Sequence, residues 1–262
     1  MNRAERLSAV LDLLAESRQI DVDQLVERLG ISPATARRDL DALAQQQLLT
    51  RTRGGAVAHS VAYDLPIRYK NLQNPEAKAA IARAASALVP RGAVIGLCGG
   101  TTATAIADAL MSRADIMEPS HDPSLTVVTN AINIAMQLAM RPQIKTVVTG
   151  GVVHARSYEL VGAYADAVLD HITLDLAFIG VNGIDPVVGP TSHDEREAAV
   201  NALMASRATH AVLVADASKI DRRAFAAIGH RRLFSTVITD MGITDEQRQR
   251  LVDGGYDVIV AE

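Results

Sequence analysis

The sequence predicts two unlike folds in one chain: an α/β domain with a mostly parallel sheet, preceded by a small N-terminal winged helix-turn-helix domain. Three observations predict it. From about Glu76, short apolar runs alternate with helical stretches, the pattern of parallel strands joined by helical crossovers. Over residues 1–57 apolar residues instead recur at helical spacing, with a glycine break between the second and third helices. Arginines then gather where the third helix and the following hairpin fall. Residues 32–55 hold Arg37, Arg38, Arg51 and Arg53 against Asp39 and Asp41, in a chain whose net charge is −4.

In the first region Leu7, Val10, Leu11 and Leu14 make one apolar stripe, which predicts a helix from about Arg3 to Ser17. A second helix fits Val22 to Leu29, with Leu25, Val26 and Leu29 inward. Asp21 is its cap, Gln24 completes the capping pattern, and Gly30 stops it. Ser32-Pro33 starts the third helix, serine as N-cap and proline at the first helical position. It runs to about Gln47 and buries Ala36, Leu40 and Leu43. Leu48 to Val57 alternates, turns on Gly54-Gly55 and resumes, which predicts a two-stranded wing with Arg51 and Arg53 on one side.

Residues 58–75 are poorly periodic, contain Pro66 and Pro75, and read as a linker, with Leu65, Ile67 and Tyr69 as its ordering residues. Beyond it, strands are expected at Val94–Leu97, Leu125–Thr129, Thr146–Thr149, Leu176–Ile179, Ala211–Ala215, Val237–Thr239 and Asp257–Val260. Helices are expected at Lys78–Leu88, Thr102–Leu110, Ala131–Met140, Ala163–His171, Arg196–Ala208 and Asp245–Asp253. The domain boundaries are therefore 1–57, a 58–75 linker, and 76–262. In parallel sheets, ligands sit at the carboxyl ends of the strands.

Composition narrows the class. The chain has 262 residues, 48% of them hydrophobic and 21% charged, which excludes wholesale disorder and allows a full core. A single cysteine, Cys98, excludes an internal disulfide and a multi-cysteine metal centre. The seven histidines (59, 121, 154, 171, 193, 210 and 230) show no metal-ligand spacing, so no metal site is expected, and no cofactor is implied. No apolar run reaches the roughly 18 residues a membrane helix needs, and no signal-peptide pattern occurs at Met1-Asn2-Arg3-Ala4-Glu5. A soluble cytoplasmic protein with no membrane partner is expected. Residues 1–60 sum to zero charge and the remainder carries the −4. A nucleic-acid footprint is thus confined to the arginine-bearing segment.

The first turn of the third helix carries that chemistry. Ser32, Thr35 and the helix-start amides suit phosphate or base edges, and Arg37 and Arg38 suit guanine or phosphate. The alternative for the helix alone is an ordinary capped surface helix with a solvated charge pair. The arginine-bearing wing, Arg51 and Arg53, favours double-stranded DNA. The run Ser32-Pro33-Ala34-Thr35-Ala36-Arg37-Arg38-Asp39-Leu40-Asp41-Ala42-Leu43, followed by Leu49-Thr50-Arg51-Thr52-Arg53-Gly54-Gly55-Ala56-Val57, resembles the signature of DeoR-family bacterial transcriptional regulators, and the likeness extends through the rest of the chain. Ala36 departs from the β-branched residue usual there. The resemblance implies an N-terminal winged helix-turn-helix and a C-terminal sensor related to ribose-5-phosphate isomerase. It also implies repression of sugar-utilisation operons, relieved by a phosphorylated sugar.

The residues bear on the sensor independently. Gly99-Gly100-Thr101-Thr102-Ala103-Thr104 follows a strand and opens a helix, where glycines, amides and the hydroxyls of Thr101, Thr102 and Thr104 suit a phosphate. A strand-to-helix turn also needs glycine for its own sake. The resemblance places an aspartate where this chain has Cys98, which reads as a buried small residue. Asn130, Gly150-Gly151, Gly180 with Asn182, and Lys219 stand at further strand ends, and together they suggest a ligand crevice. Lys219 is the cation expected for an anionic effector. Asp194 and Glu195 offer hydroxyl acceptors or, equally, stabilise a helix start.

Aldose–ketose isomerisation needs a carboxylate base. The resemblance to isomerases puts Gly183 at the base position and Ile179 at that of an upstream aspartate, so binding without turnover is expected. Two rivals remain at this point: a sugar-phosphate enzyme with an appended helical domain, and a winged helix used only for protein contacts. A homo-oligomer, dimer or tetramer, is expected for operator binding.

Overall fold

The computed structural model describes residues 1–46, 48–58 and 73–262 and divides into two compact units, Met1–Gln73 and Asn74–Glu262. The expected linker falls almost wholly on residues 59–72, so Pro66, Leu65, Ile67, Tyr69 and His59 lie outside the described residues.

In the first unit, α1 (Arg3–Ser17) is opened by a capping box in which Asn2 and Glu5 exchange side-chain and backbone hydrogen bonds. Its stripe, Leu7, Val10, Leu11 and Leu14, is buried as the spacing predicts. A short strand β1 (Gln19–Asp21) follows, then α2 (Val22–Leu29), whose N-cap Asp21 and partner Gln24 form the expected box. Gly30 ends α2 in the left-handed region at φ 62°. The third helix, α3 (Pro33–Gln45), starts at its Ser32 cap, with Thr35 N–H donating to Ser32 Oγ at 3.2 Å. The wing consists of β2 (Leu49–Arg51) and β3 (Gly55–Ala58). It is three-stranded rather than two, in the order β1-β3-β2, because β1 adds to β3 antiparallel. A Cβ at Gly55 would sit 2.0 Å from the Ile20 carbonyl oxygen, so that close approach needs glycine.

The second unit begins with α4 (Pro75–Ala87), where proline takes the first helical position. Then come β4 (Val94–Leu97), α5 (Thr101–Met111), α6 (Ala114–Met117), β5 (Leu125–Thr129), α7 (Ile132–Leu138) and β6 (Ile144–Val148). A hairpin of β7 (Val152–His154) and β8 (Glu159–Val161) precedes α8 (Asp166–Leu169) and β9 (Leu174–Gly180). Next are β10 (Gly183–Asp185), β11 (Gly189–Ser192), α9 (Glu195–Ser206) and β12 (Ala208–Val214). The chain closes with β13 (Ala226–Ala227), β14 (Phe234–Asp240), α10 (Asp245–Asp253) and β15 (Asp257–Ala261).

The seven expected strands form one sheet in the order β15-β14-β12-β9-β4-β5-β6, and every pair is parallel. Strands β4 and β5 are buried almost throughout, as strands covered on both faces must be. Two antiparallel additions were not expected from the alternation: the β7–β8 hairpin and a β10-β11-β13 sheet. The expected helix at Ala163–His171 is a 3₁₀ turn, Ala163–Ala165, followed by the single turn of α8. The seven-stranded sheet changes direction near its middle. The chain lays down β4, moves outward through β5 and β6, then returns to the other side of β4 with β9. The strand order reverses between β4 and β9, which is where an open parallel sheet leaves a crevice at its carboxyl edge.

Candidate functional site

The N-terminal unit presents one face of α3. Ser32, Arg37 and Arg38 are exposed and Thr35 is half-exposed, with its hydroxyl 2.9 Å from Ser32 Oγ. The opposite face is fixed by a residue the sequence pattern did not single out. Asp39 is buried with Ala36, Leu40 and Leu43, and Arg6 of α1 donates to it twice, from Nε at 2.5 Å and from a terminal nitrogen at 3.2 Å. The two wing arginines separate. Arg53 is exposed in the turn, whereas Arg51 points back into the unit, donating to Asp41 Oδ1 of α3 at 2.8 Å and to the Gly55 carbonyl. The expectation that they share one side is corrected: Arg51 ends a strand, and Arg53 sits past it, where alternation no longer applies.

At the reversal between β4 and β9, Cys98 is fully buried and ties the two strand ends together. Its Sγ accepts from Gly180 N–H at 3.0 Å and donates to the Gly99 carbonyl at 3.2 Å. Burial first, then the neighbouring carboxylates of Glu159 and Glu197, pushes the thiol pKa up, while the Gly180 amide pulls the other way. Glu159, buried on β8, lies across Gly99. A Cβ there would meet the Glu159 carboxyl at 2.4–2.5 Å, so any larger residue at 99 would displace Glu159. Asn130, also fully buried, donates to Glu159 Oε2 at 2.9 Å, and its own Oδ1 has no hydrogen-bond partner.

A second group adjoins it. Because a carboxylate only accepts, the 2.7 Å contact between His154 Nδ1 and Glu197 Oε1 puts the proton on that nitrogen. Ser192 Oγ lies 3.3 Å from Glu197 Oε2 and 3.2 Å from Asn182 Oδ1, and Asn182 also accepts from His193 N–H. Buried carboxylates on this scale are uncommon in a core. Glu159, Glu197 and His154 were not singled out in the sequence. An acid directly before the apolar pair Leu160-Val161 was the available signal for Glu159, and for Glu197 its place one helical turn after Asp194.

The expected effector residues distribute unevenly. Gly100, at φ 101°, opens α5 with free space where a side chain would be, and the half-exposed Thr101 and Thr102 follow it. Thr104 is turned inward: its hydroxyl donates to the Gly100 carbonyl and accepts from Asn133 of α7, so its expected phosphate contact is corrected to a tie between α5 and α7. Gly150 and Gly151 are required by close packing on Tyr164 and on the β8 backbone. Asp194 is the N-cap of α9, accepting from the amides of Arg196 and Glu197. Glu195 is exposed, and the acid its segment delivers to the cluster is Glu197. Lys219, half-buried, ends a 3₁₀ turn beyond β12, one strand further from the reversal. At Gly183, a Cβ would sit 2.4 Å from the Arg222 carbonyl oxygen, so that position admits no carboxylate side chain in this arrangement, and Ile179 is fully buried. Among the described residues no group of His, Cys, Asp and Glu suits a metal, and no helix is long and apolar enough to cross a membrane.

The DeoR-like helix-turn-helix domain matches residues 6–61 and the DeoR C-terminal sensor domain matches residues 73–241. The chain belongs to the DeoR family. It is a DNA-binding transcriptional regulator, and its relatives are regulators rather than enzymes. The HTH-type transcriptional regulator GlpR of Haloferax volcanii is 32% identical over 98% of this chain and 97% of its own. The glycerol-3-phosphate regulon repressor of Escherichia coli K12 is 30% identical over 92% of each chain. Among solved structures, ribose 5-phosphate isomerase A from Methanocaldococcus jannaschii is 22% identical, with a TM-score of 0.41 over 56% of this chain and 55% of that one.

Proposed function

We propose that this DeoR-family regulator is a cytoplasmic repressor of a carbohydrate-metabolism operon, released from its operator by a phosphorylated sugar. Residues 1–57 form the DNA-binding domain and 76–262 the sensor. The observation that carries the reading is the two-sided α3. Its inner face is clamped by the Arg6–Asp39 pair, so Arg37 and Arg38 are held out at a capped helix start, the geometry of a recognition helix in a major groove. Ser32 and Thr35 lie at that start, Arg53 reaches the backbone from the wing, and Arg51 holds the wing to α3. The regulons named for the relatives support the effector class. The open start of α5 at Gly100, Thr101 and Thr102, with Lys219, takes the phosphate, since helix-start amides and hydroxyls favour an anion. Two copies at least, as a dimer or tetramer, pair their recognition helices on a symmetric operator. Effector and operator weaken one another's binding reciprocally.

Fluorescence anisotropy tests this. DNA upstream of the gene and its neighbours is titrated at two salt concentrations, with and without a panel of sugar phosphates. Selective binding released by one compound is expected. No selective binding at either salt refutes the reading, and an affinity that ignores salt removes phosphate contacts from it.

A further inference from the structure

The carboxyl ends of β4 and β9, where the strand order reverses, have two chemically opposite sides. At the α5 start the groups are donors: backbone amides and the hydroxyls of Thr101 and Thr102. Across Gly99 the groups are acceptors. Glu159 and Glu197 are buried carboxylates, and Asn130 Oδ1 is a fully buried carbonyl oxygen with nothing donating to it. A buried acceptor without a donor is costly and rare. A phosphate carries only acceptors near neutral pH, so this side repels it; a hydroxyl carries a proton that acceptors can take.

We propose that Asn130, Glu159 and Glu197 are the specificity-determining residues of the effector site, and that they read hydroxyl groups of a phosphorylated polyhydroxy compound held with its phosphate at α5. The proposal deepens the effector reading given above and rests on it. It fixes the ligand's direction: the phosphate faces Gly100–Thr102, and the hydroxyl-bearing carbons face Glu159, whose side chain covers Gly99. It also gives Cys98 a place, since its thiol sits beside both carboxylates and is committed to the strand ends rather than to the ligand. His154, which donates to Glu197, is a positioning residue for that carboxylate.

The test is isothermal titration of the full-length protein with inorganic phosphate, glycerol 3-phosphate, and a panel of pentose and hexose phosphates. The tightest sugar phosphate is then measured against Glu159→Gln and Glu197→Gln. Operator affinity and thermal denaturation verify that each variant is folded, and either one that folds suffices. The expected result is sugar-phosphate binding at least tenfold weaker, with inorganic phosphate binding changed less than twofold. Unchanged sugar-phosphate affinity in a folded variant overturns the proposal, as does parallel loss of inorganic phosphate binding. Wild-type protein that binds inorganic phosphate as tightly as any sugar phosphate overturns it too, while leaving the anion site standing. Wild-type protein that binds no phosphorylated compound overturns the effector reading beneath it.

Discussion

Replacing Asp39 by alanine removes one half of a nearly buried ion pair. Asp39 is 1% exposed and the Arg6 side chain 17%, and two hydrogen bonds join them. Removing one partner of a fully buried pair costs about 3–5 kcal/mol, because the other charge is left without compensation. Arg6 retains a path to water along its flexible stem, which reduces the expected cost to about 2–3 kcal/mol. In a unit of 73 residues, each kcal/mol moves the melting temperature by about 4–8 °C. Asp39→Ala therefore lowers the N-terminal transition by roughly 10–20 °C, while the sensor transition stays in place. Scanning calorimetry of the full chain reads both. The double variant Arg6→Leu with Asp39→Leu recovers part of the loss, since it buries no lone charge. A single-variant loss below about 0.5 kcal/mol, or a double variant no more stable than the single one, refutes the argument that this pair fixes α3.

Arg38→Ala weakens operator binding by about 1–3 kcal/mol if the side chain reads a base, and leaves effector affinity unchanged; equal operator affinity in anisotropy removes Arg38 from the interface. Lys219→Ala leaves operator binding intact but raises the effector concentration needed for release, and release at the original concentration rules out Lys219 as the phosphate contact. Cys98, buried and with its thiol pKa pushed up, reacts with a thiol reagent at pH 8 only after denaturation; full labelling of native protein within minutes contradicts that. Burial opposes ionisation of Asp194, but hydrogen bonds from the Arg196 side chain and the Glu197 and Arg196 amides outweigh it and lower its pKa. Its cap therefore contributes fully above the ordinary value of about 3.9 and is lost as pH falls through the lower folded value. Asp194→Ala should cost about 1 kcal/mol at pH 7 and progressively less below pH 4, read by urea unfolding; an equal cost at pH 7 and pH 3 refutes the titration.

The parts legible in the sequence were those governed by local rules. Capping at Asp21 and Ser32, the left-handed Gly30, and the stripe of α1 each need only a few neighbouring residues. The apolar runs predicted their strands most plainly at β4 and β5, which are buried almost throughout. What escaped was non-local. Strand β1 is three residues long and exists only because β3 pairs with it. The short sheets have too few residues to alternate. Asp39 lies at the helical spacing of Ala36, Leu40 and Leu43, yet its burial depends on an arginine 33 positions away. The carboxyl end of β4 obeys the same division: its glycines announce themselves beside strands, whereas Glu159 and Glu197 come near Cys98 only through β8 and α9, far along the chain. The glycine at position 183 reads as a missing base, but only the Arg222 carbonyl beside it shows that the space is filled.

The place of β4 in the sheet also bears on how the chain is made. Within the described residues, the N-terminal unit draws every strand partner from its own first 58 residues. Strand β4, by contrast, waits for β9, which begins only at Leu174, before its second edge is covered. Short-range contacts form sooner than long-range parallel pairings, and domains fold as units while they leave the ribosome. A nascent chain thus completes its helix-turn-helix unit while the sheet of the second unit is still an open edge. Translation halted between residue 73 and Leu174 leaves the first unit complete and β4 without its second neighbour.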